Sequence, residues 1–272
     1  MSLCYNYGMK KRWLIILCVS LGLVIGSHWV FGEKDKQVTD ELPVITVNFV
    51  DPTKIAAISK FRSCQGHIVV PQDGLEPRSN MKHYFYLRQD FTQARRLVEL
   101  YAPFDGYVSD IYQGDADFSD RNPASRDVTI SKKKGLTSRS AWGFTFLHIE
   151  PATGLKKGQK VKAGDLLGYV SLELIPPYYA FDVTYAKLGM GSKRVDNWSS
   201  PYKALDSAFN HMSATVLAEY APLGGQQSSD FVIDKTTRLA EPCQYGSDGR
   251  SFDRQKNKNW DNDWIGNIQD AI

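Results

Sequence analysis

Between Phe146 and Val170 the chain sets Gly158, Gly164 and Gly168 among Val161, Leu166, Leu167 and Val170. Glycine reaches positive φ without a steric penalty, so this spacing predicts short β-strands joined by tight turns. A second unit of the same kind runs from Tyr101 to Tyr112, where Asp105 and Gly106 turn the chain into an alternating strand. Together they predict a mainly β fold, a curved sheet or flattened barrel.

Further strands are expected at 42–50, 82–88, 98–101, 107–112, 127–131, 142–150, 165–172 and 179–187, and 113–126 reads as an exposed loop. After Pro201 the texture changes. Leu205, Phe209, Met212, Val216, Leu217 and Tyr220 recur at helical spacing, which predicts an amphipathic helix over 203–220. The stretch from Ser247 to Ile272 has little periodicity and is expected to be an ordered flap or a partly disordered end.

Lys10, Lys11 and Arg12 precede the apolar run Trp13 to Phe31, as the n-region and h-region of an export signal do. Nineteen mostly apolar residues also just suffice to span a bilayer, so a cleaved signal and a retained anchor both stand. The protein is expected outside the cytoplasm: periplasmic, secreted or anchored. Those three cations are the only charged residues before Glu33, so the formal net charge of +3 vanishes from the remainder. A neutral body offers no electrostatic footprint for nucleic acid, and Lys132 to Lys134 read as solvated turn charges. Cys4 and Cys18 fall in the export segment, leaving Cys64 and Cys243. In an oxidising compartment such an isolated pair forms a disulfide more often than a metal site. The resulting division is 1–32 signal or anchor, 33–80 linker, first strand and loop, 81–190 β core, and 191–272 helix and tail.

The order of these elements over roughly Lys82 to Lys187 resembles two groups. One is the lysostaphin-like (LytM-type) zinc endopeptidases; the other is the biotinyl/lipoyl-like barrel modules of membrane-fusion adaptors. A His-bearing strand, Ala-Pro-Phe-Asp-Gly at 102–106, a hairpin region, Phe146 to His148, and Tyr178 to Val183 follow the endopeptidase order. The resemblance implies a zinc held by a His-x-x-x-Asp pattern and by the second His of a His-x-His pattern. Three protein ligands leave the open position that catalytic zinc needs for its water.

Carried across, the first ligand falls on His83. Four residues later stands Leu87, and Asp90 substitutes only through a bulge. At the second motif Tyr178 and Ala180 replace both histidines, while Asp182 keeps the acidic ending. The family's histidine on the preceding strand is matched by His148. None of the five histidines are separated by a single residue, so no His-x-His exists in the chain. His148 and Tyr178 are therefore vestigial catalytic positions, and His83, His67, Asp90 and Asp182 are the remaining metal candidates. The resemblance places His83, Tyr84, Tyr86, His148 and Tyr178 along the former substrate groove. The implied function is non-catalytic binding of cell-wall peptide or glycan, or regulation of an envelope protein, without a cofactor. An active peptidase with non-standard zinc ligands and a membrane-fusion-type adaptor are the alternatives.

Overall fold

The computed structural model describes residues 42–93, 96–113, 123–135, 141–171, 180–188, 202–247, 249, 251–257 and 260–271. The apolar run Trp13 to Phe31 and Tyr178 lie outside these residues. Among the described residues no helix is long and apolar enough to cross a membrane.

The described strands are β1 (Ile55–Ser59), β2 (His83–Leu87), β3 (Glu99–Tyr101), β4 (Gly106–Tyr112), β5 (Arg126–Ser131) and β6 (Trp142–Pro151), followed by β7 (Lys160–Val161), β8 (Leu166–Val170), β9 (Ala180–Leu188), β10 (Tyr202–Asp206) and β11 (Trp264–Gly266). They form one antiparallel, unclosed sheet in the order β11-β1-β2-β9-β6-β5-β4-β7, with β10 paired to β9 and β8 bridging β6 and β3. The fold is thus mainly β.

Period-two alternation sorts the strands into two faces. His83, Phe85 and Leu87 of β2, Val128 and Ile130 of β5, Phe144 and Phe146 of β6, and Phe181, Val183 and Tyr185 of β9 are all buried on one face. Phe49 packs against Phe85, Phe144 and Phe146 with ring centroids 5.4, 4.8 and 5.8 Å away. From the other end of the chain, Phe209 and Phe231 stack at 3.6 Å over the same core. Burying an aromatic or aliphatic side chain of this kind contributes roughly 1.5–3 kcal/mol, so this layer dominates the stability.

Gly158 and Gly164 sit at φ +82° and +88°, as their turn positions require. Gly168 serves differently: it lies within β8, where a Cβ would strike the backbone of Glu150 and Pro151.

Two expectations are corrected. The segment 203–220 is not one helix. Tyr202–Asp206 is β10, Ala208–His211 is a 3-10 turn, and only Ala214–Ala218 (α1) is α-helical. Ser207 Oγ accepts the Phe209 N–H at 3.3 Å and Ser213 Oγ the Val216 N–H at 3.4 Å, so each serine starts a separate short turn. The apolar residues recur because each turn dips once into the core. Nor is 42–50 a strand. Ile45 makes an isolated parallel bridge to Met212, and Thr46 N–H donates to the Pro103 carbonyl at 3.0 Å. Ile45, Phe49 and Val50 are buried at irregular spacing instead. Of the two forms expected for the tail, the ordered one is found: its residues supply β11, which pairs with β1, Ala57 opposite Gly266.

A second apolar cluster lies under the loop that joins β1 to β2. It gathers Phe61, Cys64, Ile68, Val69, Val70, Met81, Tyr202, Leu205, Cys243 and Phe252. Cys64 and Cys243 are joined in a disulfide across a sequence separation of 179. Beside it a short helix, α2 (Lys235–Ala240), presents Arg238, whose Nη2 lies 2.8 Å from Asp263 Oδ1.

Candidate functional site

Alternation that sends Phe85 to the core sends Lys82 and Tyr84 to the opposite face, and β9 does the same with Asp182. Tyr84 and Asp182 are cross-strand partners. Lys82 Nζ reaches Asp182 Oδ2 at 2.8 Å, with only 4% and 5% of the two side chains exposed. The same ammonium stands 3.3 Å from His67 Nε2 and 4.8 Å from the centroid of the Tyr84 ring. Burial, the largest single influence, pulls the Lys82 pKa down, but the charge and hydrogen bond of Asp182 together with Tyr84 and Tyr202 outweigh it and leave the pKa above its ordinary value. Lys82 is a fixed cation. Burial pushes the Tyr84 hydroxyl up to about 12, so it stays protonated.

His148 joins this cluster through a backbone irregularity. Arg126 pairs with Ile149 and Val128 with Phe146, so Leu147 and His148 of β6 oppose Asp127 alone. This is a β-bulge, and His148 adopts φ +62°. Asp127 Oδ1 accepts the His148 N–H at 3.0 Å and holds the bulge. The bulge re-aims the imidazole so that Nε2 lies 3.8 Å from Asp182 Oδ2. Burial raises the Asp127 pKa against the opposing influence of His148. Burial and Asp127 together raise that of Tyr112, which is hydrogen-bonded to it.

The structure therefore brings together His67, His148, Asp182 and Tyr84 around Lys82. It does not bring His83, Asp90 or Tyr86 to them. His83 is a correction: it faces the core, not the groove. Its Nδ1 lies 2.8 Å from the Ser59 carbonyl and its Nε2 2.9 Å from Ser207 Oγ. Asp90 is on the surface in the 3-10 turn Gln89–Phe91, 4.0 Å from Arg88. Tyr86 packs edge-on against Trp264 at 5.0 Å. Lys82, Asp127 and Tyr112 were missed by sequence reasoning. The signal available was parity: Lys82 and Tyr84 alternate with core residues in one strand.

Burial lowers the His83 pKa to about 4, its hydrogen bond to Ser59 offsetting this only in part. A histidine buried neutral is protonated more readily when unfolded, so its contribution is complete above the ordinary value of 6.5 and is lost as pH falls from there to about 4. We expect a loss of about 3 kcal/mol from this group over that window. Asp127 and Asp263, whose pKa values are raised, act in the opposite sense. The check is the difference in urea midpoint between the wild type and His83→Gln across the window; a constant difference would refute it.

The zinc called for by the lysostaphin-like resemblance does not fit this donor set. The space between the His67 imidazole and the Asp182 carboxylate is filled by the Lys82 ammonium. Among the described residues no group of three His, Cys, Asp or Glu is arranged to hold a metal ion.

No protein-family model matches the chain, and no curated protein matches it. Among solved structures, Helicobacter pylori Csd3 in a hexagonal crystal is similar at TM-score 0.32 and 19% identity, over 53% of this chain and 30% of that one. Csd3 in an orthorhombic crystal is similar at TM-score 0.32 and 17% identity, over 77% and 47%. Lysostaphin in solution is similar at TM-score 0.30 and 10% identity, over 53% and 52%. The matched part spans about a third to a half of those chains. At these scores no chemistry is carried across.

Proposed function

We propose that the chain is an exported, non-catalytic relative of the lysostaphin-like peptidases that binds cell-wall peptide or glycan, or regulates an envelope protein. The observation that carries this reading is the Lys82 ammonium, held 2.8 Å from Asp182 and 3.3 Å from His67. A fixed monovalent cation there balances the carboxylate as a metal would, yet it has no open coordination position and cannot activate water. The side chains around it are satisfied by one another, which suits recognition better than hydrolysis. Tyr112, 38% exposed, and the edge of His148 offer an aromatic face and a polar edge to a peptide or sugar.

The test is made on the purified body, Glu33 to Ile272. We expect no stoichiometric zinc after dialysis against trace zinc, no cleavage of cross-linked wall peptide, and retention on isolated cell wall that weakens in Tyr112→Ala. Stoichiometric zinc, with hydrolysis abolished by His148→Ala, would instead identify a peptidase with non-standard ligands.

A further inference from the structure

Charge is distributed unevenly over this neutral body. Between Lys132 and Lys162 the sequence carries seven lysines and one arginine against a single acid, Glu150. That acid is buried and stands 3.5 Å from Arg96, so it does not offset the lysines at the surface. The topology gathers them at one end of the sheet. Lys132 Nζ lies 5.5 Å over the Phe104 ring and Lys134 Nζ 5.8 Å over Tyr107. Tyr107 in turn pairs with Lys160 of the edge strand β7. Lys132, Lys134, Lys156, Lys157, Lys160 and Lys162 are all exposed. Lys157 is answered by Asp110 at 2.7 Å. Among the described residues Asp105 and Asp165 also lie here, Asp105 accepting the Ala163 N–H and Asp165 the Lys162 N–H, both at 2.8 Å, so that with Asp110 three carboxylates face six exposed lysines and the excess is positive.

Exposed apolar side chains occupy the same end. Val47 is 36% exposed and Leu166 37%. They flank the turn at Gly164, where an added Cβ would lie 3.8 Å from Val47 Cγ1. Val44, 54% exposed, precedes them in the segment that Pro103 ties down through Thr46.

We propose that this end of the sheet is a docking surface for an anionic phospholipid bilayer. A soluble polyanion would be met by lysines alone. Lysines interleaved with exposed aliphatic side chains match the interface of a bilayer, where cations meet phosphate headgroups and short apolar groups enter the acyl boundary. The surface involves neither Lys82 nor His148, so it stands or falls separately from the wall-binding reading.

The test uses the body from Glu33 to Ile272, since every described strand, both apolar clusters and the disulfide lie beyond residue 41. It is sedimented with vesicles of equal parts phosphatidylglycerol and phosphatidylcholine, and with phosphatidylcholine alone. We expect co-sedimentation with the anionic vesicles only, weakened by added salt. Lys156→Glu/Lys160→Glu/Lys162→Glu should lower the partition coefficient by about a hundredfold, at about 1 kcal/mol per lysine. Val47→Ser/Leu166→Ser should weaken vesicle binding and leave binding to soluble polyphosphate unchanged. Unaltered urea midpoints establish that both variants fold. No sedimentation with anionic vesicles, or wild-type binding by the triple variant, overturns the proposal. Vesicle binding indifferent to Val47→Ser/Leu166→Ser, with equal affinity for polyphosphate, assigns the surface to a soluble polyanion instead.

Discussion

Cys243→Ser is expected to cost the folded body on the order of 5 kcal/mol by the chain-entropy relation, with 2–5 kcal/mol the usual realised range. The size follows from topology. The bridge joins residues separated by 179 positions, so it removes the loop-closure freedom of about three quarters of the body from the unfolded chain. The native side adds to this. Cys64 N–H is hydrogen-bonded to Asp263 Oδ2, and Arg238 Nη1 lies 2.7 Å from Cys64 Sγ. The loop carrying Cys64 also carries His67, so loosening it disturbs the polar cluster as well. Urea unfolding with and without a thiol reductant checks the prediction. The wild type should lose stability on reduction, while Cys243→Ser should be indifferent to the reductant. Equal midpoints for oxidised wild type and Cys243→Ser would refute it.

Lys82→Met is expected to cost about 3–5 kcal/mol, because it strands the Asp182 carboxylate in a place closed to water. The loss is a desolvation penalty rather than the worth of the pair. Removing both charges together, as in Lys82→Met/Asp182→Leu, should therefore recover most of it. A double-mutant cycle by urea unfolding measures this directly. Additive losses in the double variant would show that the two groups do not stabilise one another. The same cycle bears on the site: with Lys82 gone, His67 and Asp182 lose the cation that now lies between them.

The central strands were legible because their patterning is unambiguous. β2, β4, β5, β6 and β9 all alternate or carry β-branched and aromatic runs, and glycines mark the turns around β7 and β8. The bulge was written into β6 as well, since Phe146 and Ile149 are both buried yet three residues apart. Ile55 to Ser59 was missed because all five of its residues are buried and nothing alternates. Leu205 to Tyr220 misled because two serine-capped turns and the end of a strand together imitate the helical period. The candidate site was half legible. Resemblance pointed to His148 and Asp182, which do meet, and to His83, which does not. Parity alone assigns His83 to the core, since it shares a face with Phe85 and Leu87. The central cation was not foreseen, because a lysine in a strand reads as a solvent-facing residue until its cross-strand partner is known.

The pairing of β1 with β11 has a consequence for the order of assembly. Strand β1 lies near the start of the described chain, but among the described residues the strand on one of its flanks is Trp264 to Gly266. Until those residues are present, the row of backbone donors and acceptors from Ala57 to Ser59 is open on that side, as in any unprotected sheet edge. A growing or truncated chain that stops short of Trp264 therefore offers a template for pairing with a second molecule. The last strand acts as a lock on the first, and contacts this distant in sequence form late and slowly.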